Sequence, residues 1–128
     1  MSDNAGGYGV RGKDMLAGEL ARIMNFELLQ ADMAENEINV SGCYIGDLLS
    51  NIMGNAKAGQ IWLTVMTNIN IVAVAHLLEL SGIVLLESNR IENDVLLRAE
   101  MEKIPIFVTK DPAFKVAIRL HESGIAKA

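Results

Sequence analysis

Residues 61–86 read IWLTVMTNINIVAVAHLLELSGIVLL, and the way this run divides decides the fold. It carries one formal charge, Glu79. A run of about 18 or more apolar residues is long enough for a transmembrane helix. The interior argues against a membrane span. Thr67-Asn68-Ile69-Asn70 interrupts the run, and His76, Glu79 and Ser81-Gly82 follow. A charged side chain at a bilayer centre costs about 2.5 to 3.5 kcal/mol on insertion scales. No basic cluster flanks either end to set an orientation. A division into three parts fits better. Gln60 to Met66 is short and rich in β-branched and aromatic residues, as a buried strand is. Ile69 to Leu80 has the length of a helix. Gly82 stops that helix, and Ile83 to Leu86 is a second buried strand. Neither strand alternates polar with apolar residues, so both faces are buried, which points to a parallel sheet covered by helices.

The flanking sequence continues the pattern. Residues 13–24 place Met15, Leu16, Leu20 and Ile23 on one face of an amphipathic helix. Phe26 to Leu29 is a short strand, and Ile38 to Ile45 is a strand containing Cys43. Asp47 is expected to cap a helix whose apolar stripe is Leu48, Leu49, Ile52, Met53 and Ala56. After the central run, residues 92–103 read as a helix, and Ile104 to Val108 as the last strand. Pro105 lacks an N–H, which suits a strand start or edge. Asp111-Pro112 opens the final helix as cap and first turn, with Ala113, Val116, Ala117 and Leu120 toward the core. Strands and helices of these lengths in alternation make an α/β domain with about five strands. Right-handed crossovers are expected to cover both faces of the sheet.

Bulk properties narrow the function. A chain of 128 residues supports one domain with a real core. The expected division is a disordered tail over residues 1–12 and a single domain over residues 13–128. The net charge of −5 and the scattered aromatics argue against a nucleic-acid partner. The single cysteine cannot close an internal disulfide, which suits a reducing cytosol. The polar start, Met1-Ser2-Asp3-Asn4, has no apolar run behind it, so no signal peptide is expected. A cytoplasmic protein follows. Gly7-Tyr8-Gly9-Val10-Arg11-Gly12 has the form G-x-G-x-x-G, but no strand precedes it, so it does not read as a dinucleotide site. The histidines and the cysteine have no zinc spacing, and neither a P-loop, G-x-S-x-G nor H-E-x-x-H occurs. His76 reads as a partly buried packing residue, His121 as exposed, Cys43 as a core thiol, and most methionines as core fillers. No catalytic residue, metal or cofactor is expected.

In a parallel sheet, ligands bind outside the carboxyl ends of the strands. Four polar clusters fall there: Gly46-Asp47, Thr67-Asn68-Ile69-Asn70, Glu87-Ser88-Asn89-Arg90 and Thr109-Lys110-Asp111. Taken singly, each reads as a turn or helix cap, which uses the same residue types. Taken together they form a rim. The candidate ligand residues are Asp47, Thr67, Asn68, Asn70, Glu87, Ser88 and Thr109. Asp47 and Glu87 stand against Arg90 and Lys110, which favours a neutral or mixed polar ligand, such as a nucleoside-like molecule, over a polyphosphate.

The stretch CYIGDLLSNIMGNAKAGQIWLTVMTNINIVAVAHLLELSGIVLLESNRI (residues 43–91), followed by IPIFVTKDPAFKVAIRL (residues 104–120), resembles a DRTGG domain. In its ending it is also similar to the N-terminal domain of HPr kinase/phosphatase, where an I-P-I-[FL]-x-[ST] strand runs into a final helix. The resemblance covers roughly residues 14–125. Gly46-Asp47-Leu48-Leu49 and Ile104 to Thr109 are its more specific segments. DRTGG domains stand beside the catalytic domain of long phosphotransacetylases and with CBS domains in regulatory pyrophosphatases. The residues that name the family differ here: Thr67-Asn68 stands for Asp-Arg, and Leu86-Glu87-Ser88 for Thr-Gly-Gly, so no role tied to those residues carries over. The resemblance implies a three-layer α/β/α fold, a frequently dimeric regulatory or assembly role, and no catalysis. The expected function is a non-catalytic regulatory, ligand-sensing or assembly module acting as a homodimer or through a partner protein, with a small polar or nucleotide-like ligand. The alternative is a subunit of a phosphotransfer enzyme with weak activity of its own.

Overall fold

A computed structural model gives the fold and describes residues 14–31 and 33–125. The tail expected over residues 1–12 lies outside them. The 61–86 run divides as strand, helix and strand, with shorter pieces than expected: β5 is Gln60–Thr64, α3 is Asn70–Leu77 and β6 is Gly82–Leu85. Before it come β1 (Met15–Leu16), α1 (Ala17–Met24), β2 (Glu27–Leu28), a 3-10 turn (Glu35–Glu37), β3 (Asn39–Val40), β4 (Gly42–Ile45) and α2 (Leu49–Asn55). After it come α4 (Asn93–Met101), β7 (Ile106–Val108) and α5 (Ala113–Glu122). Among the described residues no helix is long and apolar enough to cross a membrane.

The main sheet has five strands in the order β2-β7-β6-β5-β4. The neighbours β4–β5, β5–β6 and β6–β7 are parallel, and β2 runs antiparallel to β7. Side chains alternate between two cores. Ile61, Leu63, Val84 and Phe107 pack with Leu20 and Met24 of α1 and with Val116 and Leu120 of α5. Trp62, Ile83, Leu85 and Ile106 pack with Ile52 of α2, Ile71 and Val72 of α3, and Val95 and Ala99 of α4. The fold is therefore a three-layer α/β/α sandwich with a mostly parallel sheet. The two faces are not covered in the way the sequence reading expects. Strands β4 to β7 lie side by side in chain order, so successive crossovers of one hand put α2, α3 and α4 on the same face. The other face is closed by α1 and α5, which lie outside the crossovers.

Several local expectations change. The strand expected over residues 38–45 is two strands, because β3 turns away to form a separate antiparallel ribbon with β1 while β4 joins β5. Helix α1 starts only at Ala17, so its buried face counts from there as Ala17, Leu20 and Met24. Leu16 and Ile23 are left exposed. Gly82 does not stop α3. Glu79 turns the chain with φ of 58°, and Gly82 begins β6, where a Cβ would come 3.0 Å from the Pro105 carbonyl oxygen. Of the α2 stripe, Ile52 alone is fully buried, whereas Leu48 and Met53 face solvent. His76 points outward, with Nδ1 3.3 Å from the Glu102 carboxylate, and is not a packing residue. Met15 and Met24 are core residues, but Met53 and Met101 are exposed.

Candidate functional site

The four polar clusters lie at the carboxyl ends of β4, β5, β6 and β7, because these strands run parallel. Their groups are used differently in the two halves of the rim. At β4 and β5, Asp47 does not cap α2: the residue at the helix start is Leu48, with no side-chain cap. The Asp47 carboxylate instead accepts the Thr64 hydroxyl at 2.7 Å and the Val65 N–H at 2.9 Å. Thr64 Oγ1 in turn accepts the Met66 N–H at 3.1 Å. Asn68 Oδ1 accepts the Asn70 N–H at 2.9 Å, which closes the turn into α3. Thr67 is half-buried in the same turn. Asn70 faces a separate groove between α3 and α4, shared with His76, Leu77, Arg98 and Glu102. The side chains of Asp47, Thr64 and Asn68 hold turns together.

The β6–β7 end is different. The connection after β6 runs to α4 on one face, and the connection after β7 runs to α5 on the other. Adjacent parallel strands whose connections part in this way open a crevice at their carboxyl ends. A cleft of about 470 Å³ lies there, within the range of small-molecule sites. Ser88 and Thr109 line it, joined by Asn25 to Glu27 at the start of β2, by Arg90, Lys110 and Asp111, and by Lys115 and Arg119 of α5. Strand β2 reaches the cleft because it runs antiparallel to β7, with Glu27 beside Val108.

The cleft wall is built from backbone and paired charges. The Ser88 N–H donates to the Thr109 carbonyl at 2.9 Å, and the Glu87 N–H to the Asp111 carbonyl at 3.2 Å. Glu87 and Ser88 both adopt left-handed backbone, with φ of 58° and 60°. Such a conformation costs a non-glycine residue about 1–3 kcal/mol, and glycine adopts it freely. Asp111 is not the cap of α5, which begins after Pro112 with no side-chain cap. Its carboxylate is nearly buried and takes Lys115 Nζ and the Arg119 guanidinium, each at 3.5 Å. Arg90 pairs with Glu27 at 3.3 Å.

The sequence sets Arg90 and Lys110 as nearby cations against Asp47 and Glu87. Inside the cleft the balance is another one: Arg90, Lys110, Lys115 and Arg119 against Glu27 and Asp111. Lys115 and Arg119 also carry a signal in the sequence. They follow Asp111 at steps of four, a spacing that puts Lys115 and Arg119 on one side of a helix and Asp111 just before its start. Glu27 and Asn25 left no comparable signal, because they arrive through the pairing of β2 with β7. Elsewhere, burial pushes the Cys43 thiol up to about 12, so it stays protonated at neutral pH.

No family model and no curated protein matches the sequence. Among solved structures, the chain is similar to the CBS and DRTGG domains of the regulatory region of Clostridium perfringens pyrophosphatase, determined with its activator diadenosine tetraphosphate. The TM-score is 0.68 at 12% identity, over 86% of this chain and 50% of that chain. The chain thus spans about half the length of that regulatory region. At this identity the likeness is one of fold, and at that level it bears out the resemblance to DRTGG domains.

Proposed function

We propose that the chain is a ligand-sensing regulatory module without catalysis of its own, and that its ligand sits in the cleft between the ends of β6 and β7. The position of the cleft carries this reading: it opens where the connections of two adjacent parallel strands part to opposite faces. Ser88 and Thr109 are the proposed contacts from the rim. Glu87 shapes the turn beside them, while Asp47 and Asn68 are engaged in turns and Thr67 and Asn70 lie outside the cleft. The likeness to a regulatory region that was determined with a nucleotide activator supports a nucleotide-like ligand. The non-catalytic reading, against a phosphotransfer subunit, rests on the chemistry in the cleft. Both carboxylates of the cleft are engaged by cations, Glu27 by Arg90 and Asp111 by Lys115 and Arg119, which leaves neither free as a base beside the Ser88 hydroxyl.

A second observation favours an assembly role beside the sensing role. Strand β4 is the margin of the sheet, and its sequence, GCYI, has no charge or proline to deter pairing. Ile45, Leu48 and Met53 are exposed around it. A second copy of the chain, pairing edge to edge, would cover them.

Titration with adenosine, AMP and ADP, followed by calorimetry and thermal unfolding, tests the sensing role. A ligand of the folded state raises the melting temperature, and at a hundred times its Kd adds about 2.7 kcal/mol. Ser88→Ala should weaken binding by about 0.5–1.5 kcal/mol, the worth of one hydrogen bond, and Asn68→Ala should leave it unchanged. The reverse pattern would place the ligand on the other half of the rim.

A further inference from the structure

We infer that the cleft takes an anion, specifically a small molecule carrying at least two negative charges on phosphate or carboxylate groups. This rests on the cleft reading above and goes beyond it in naming the ligand's charge. Four cations, Arg90, Lys110, Lys115 and Arg119, line the cleft against two carboxylates, Glu27 and Asp111. The chain as a whole has a net charge of −5, so this concentration of positive charge runs against its overall balance.

The pairs already present leave room for a ligand. Asp111 is shared by Lys115 and Arg119, so one carboxylate faces two cations. It is 8% exposed, which makes it a fixed post that holds both side chains toward the cleft. Arg119 is held further by its Nη2, which donates to the Ile23 carbonyl at 3.1 Å. The side chains of Arg90 and Lys115 are 58% and 60% exposed. An exposed pair such as Arg90–Glu27 contributes little stability, so Arg90 can turn to a ligand at small cost, while Lys115, held by the nearly buried Asp111, keeps further donors to meet one. Lys110 is exposed at the mouth. Glu87 is exposed on the same loop as Ser88 but does not line the cleft. A neutral ligand would leave the excess positive charge uncompensated; a dianion meets it. The exposed Ser88 adds a hydroxyl that suits phosphate and carboxylate oxygens equally, whereas Thr109 is 6% exposed and its Oγ1 accepts the Asp111 N–H at 3.3 Å.

An NMR titration of the full chain, labelled with nitrogen-15, tests this with pyrophosphate, citrate and adenosine at matched millimolar concentrations and constant ionic strength. Pyrophosphate or citrate should move the amides of residues 25–27, 88–90 and 109–115 more strongly than adenosine does, and added chloride should weaken the effect. A stronger response to one anion than the other distinguishes phosphate from carboxylate. The double variant Lys110→Gln with Lys115→Gln changes only exposed cations and spares the Arg119 anchor. It should weaken anion binding about tenfold, the loss expected of a hydrogen bond to a charged group. If adenosine binds at these amides as tightly as the anions, and equally in the variant, the inference is overturned while the cleft reading stands. If neither anion moves these amides, the inference also fails, and the adenosine titration alone decides the cleft reading.

Discussion

The Asp47 carboxylate takes the Thr64 hydroxyl and the Val65 N–H at the end of β5. Thr64 is fully buried, so removing the carboxylate strands its hydroxyl proton inside the protein. A buried donor left without a partner costs about 1–3 kcal/mol. Asp47→Ala should therefore lower the unfolding free energy by that amount in urea titration and leave binding at the cleft unchanged. Unaltered stability would mean that the carboxylate is free for another role. The contrast with Asp111 is instructive. Both follow a strand and precede a helix, and both look like caps in the sequence. Asp47 is tied to backbone and hydroxyl donors, Asp111 to two cations, and what surrounds each decides its use.

At the scale of elements, α2 has one fully buried residue, Ile52, with Leu49 partly buried beside it, and no side-chain cap. Gly54 lies within it, and a Cβ there would meet nothing within 4 Å. Glycine inside a helix is less favourable than alanine by about 0.5–1 kcal/mol. Gly54→Ala should therefore stabilise the protein by about that much in denaturant unfolding. A loss of stability instead would show that something packs closely over this helix in solution. The exposed Leu48 and Met53 were legible as apolar positions, since the stripe was read from spacing alone. Spacing does not say whether a stripe faces the sheet or the outside.

At the scale of the whole molecule, the four parallel strands in chain order leave β4 as an open margin. We expect sedimentation at micromolar concentration to give a species of twice the chain mass of 13.9 kDa. Ile45→Lys, which places a charge on the edge, should return it to one chain mass. A single species of 13.9 kDa from the unchanged protein would remove the edge-pairing reading. The same strand order places the cleft. Since α2, α3 and α4 all cover one face, the connections part to opposite faces only after β6 and β7.

The layered α/β character of the protein was legible in residues 61–86 alone. Burial of a strand on both faces shows as an unbroken apolar run, and a crossover helix shows as a length; both are properties of a contiguous stretch. The strand ends were legible for the same reason, and with them Ser88 and Thr109. The order of the strands was not, because pairing depends on residues far apart in the chain, and so neither was the face to which each connection leaves. The split of residues 38–45 between two sheets, the arrival of Glu27 beside Val108, and the meeting of Arg90 with the cations of α5 all depend on that order. Sequence determined which groups stand at the rim. Tertiary pairing decided which of them are bound up in turns and which face a common cleft, because hydrogen-bond partners and charge neighbours are set by proximity in space.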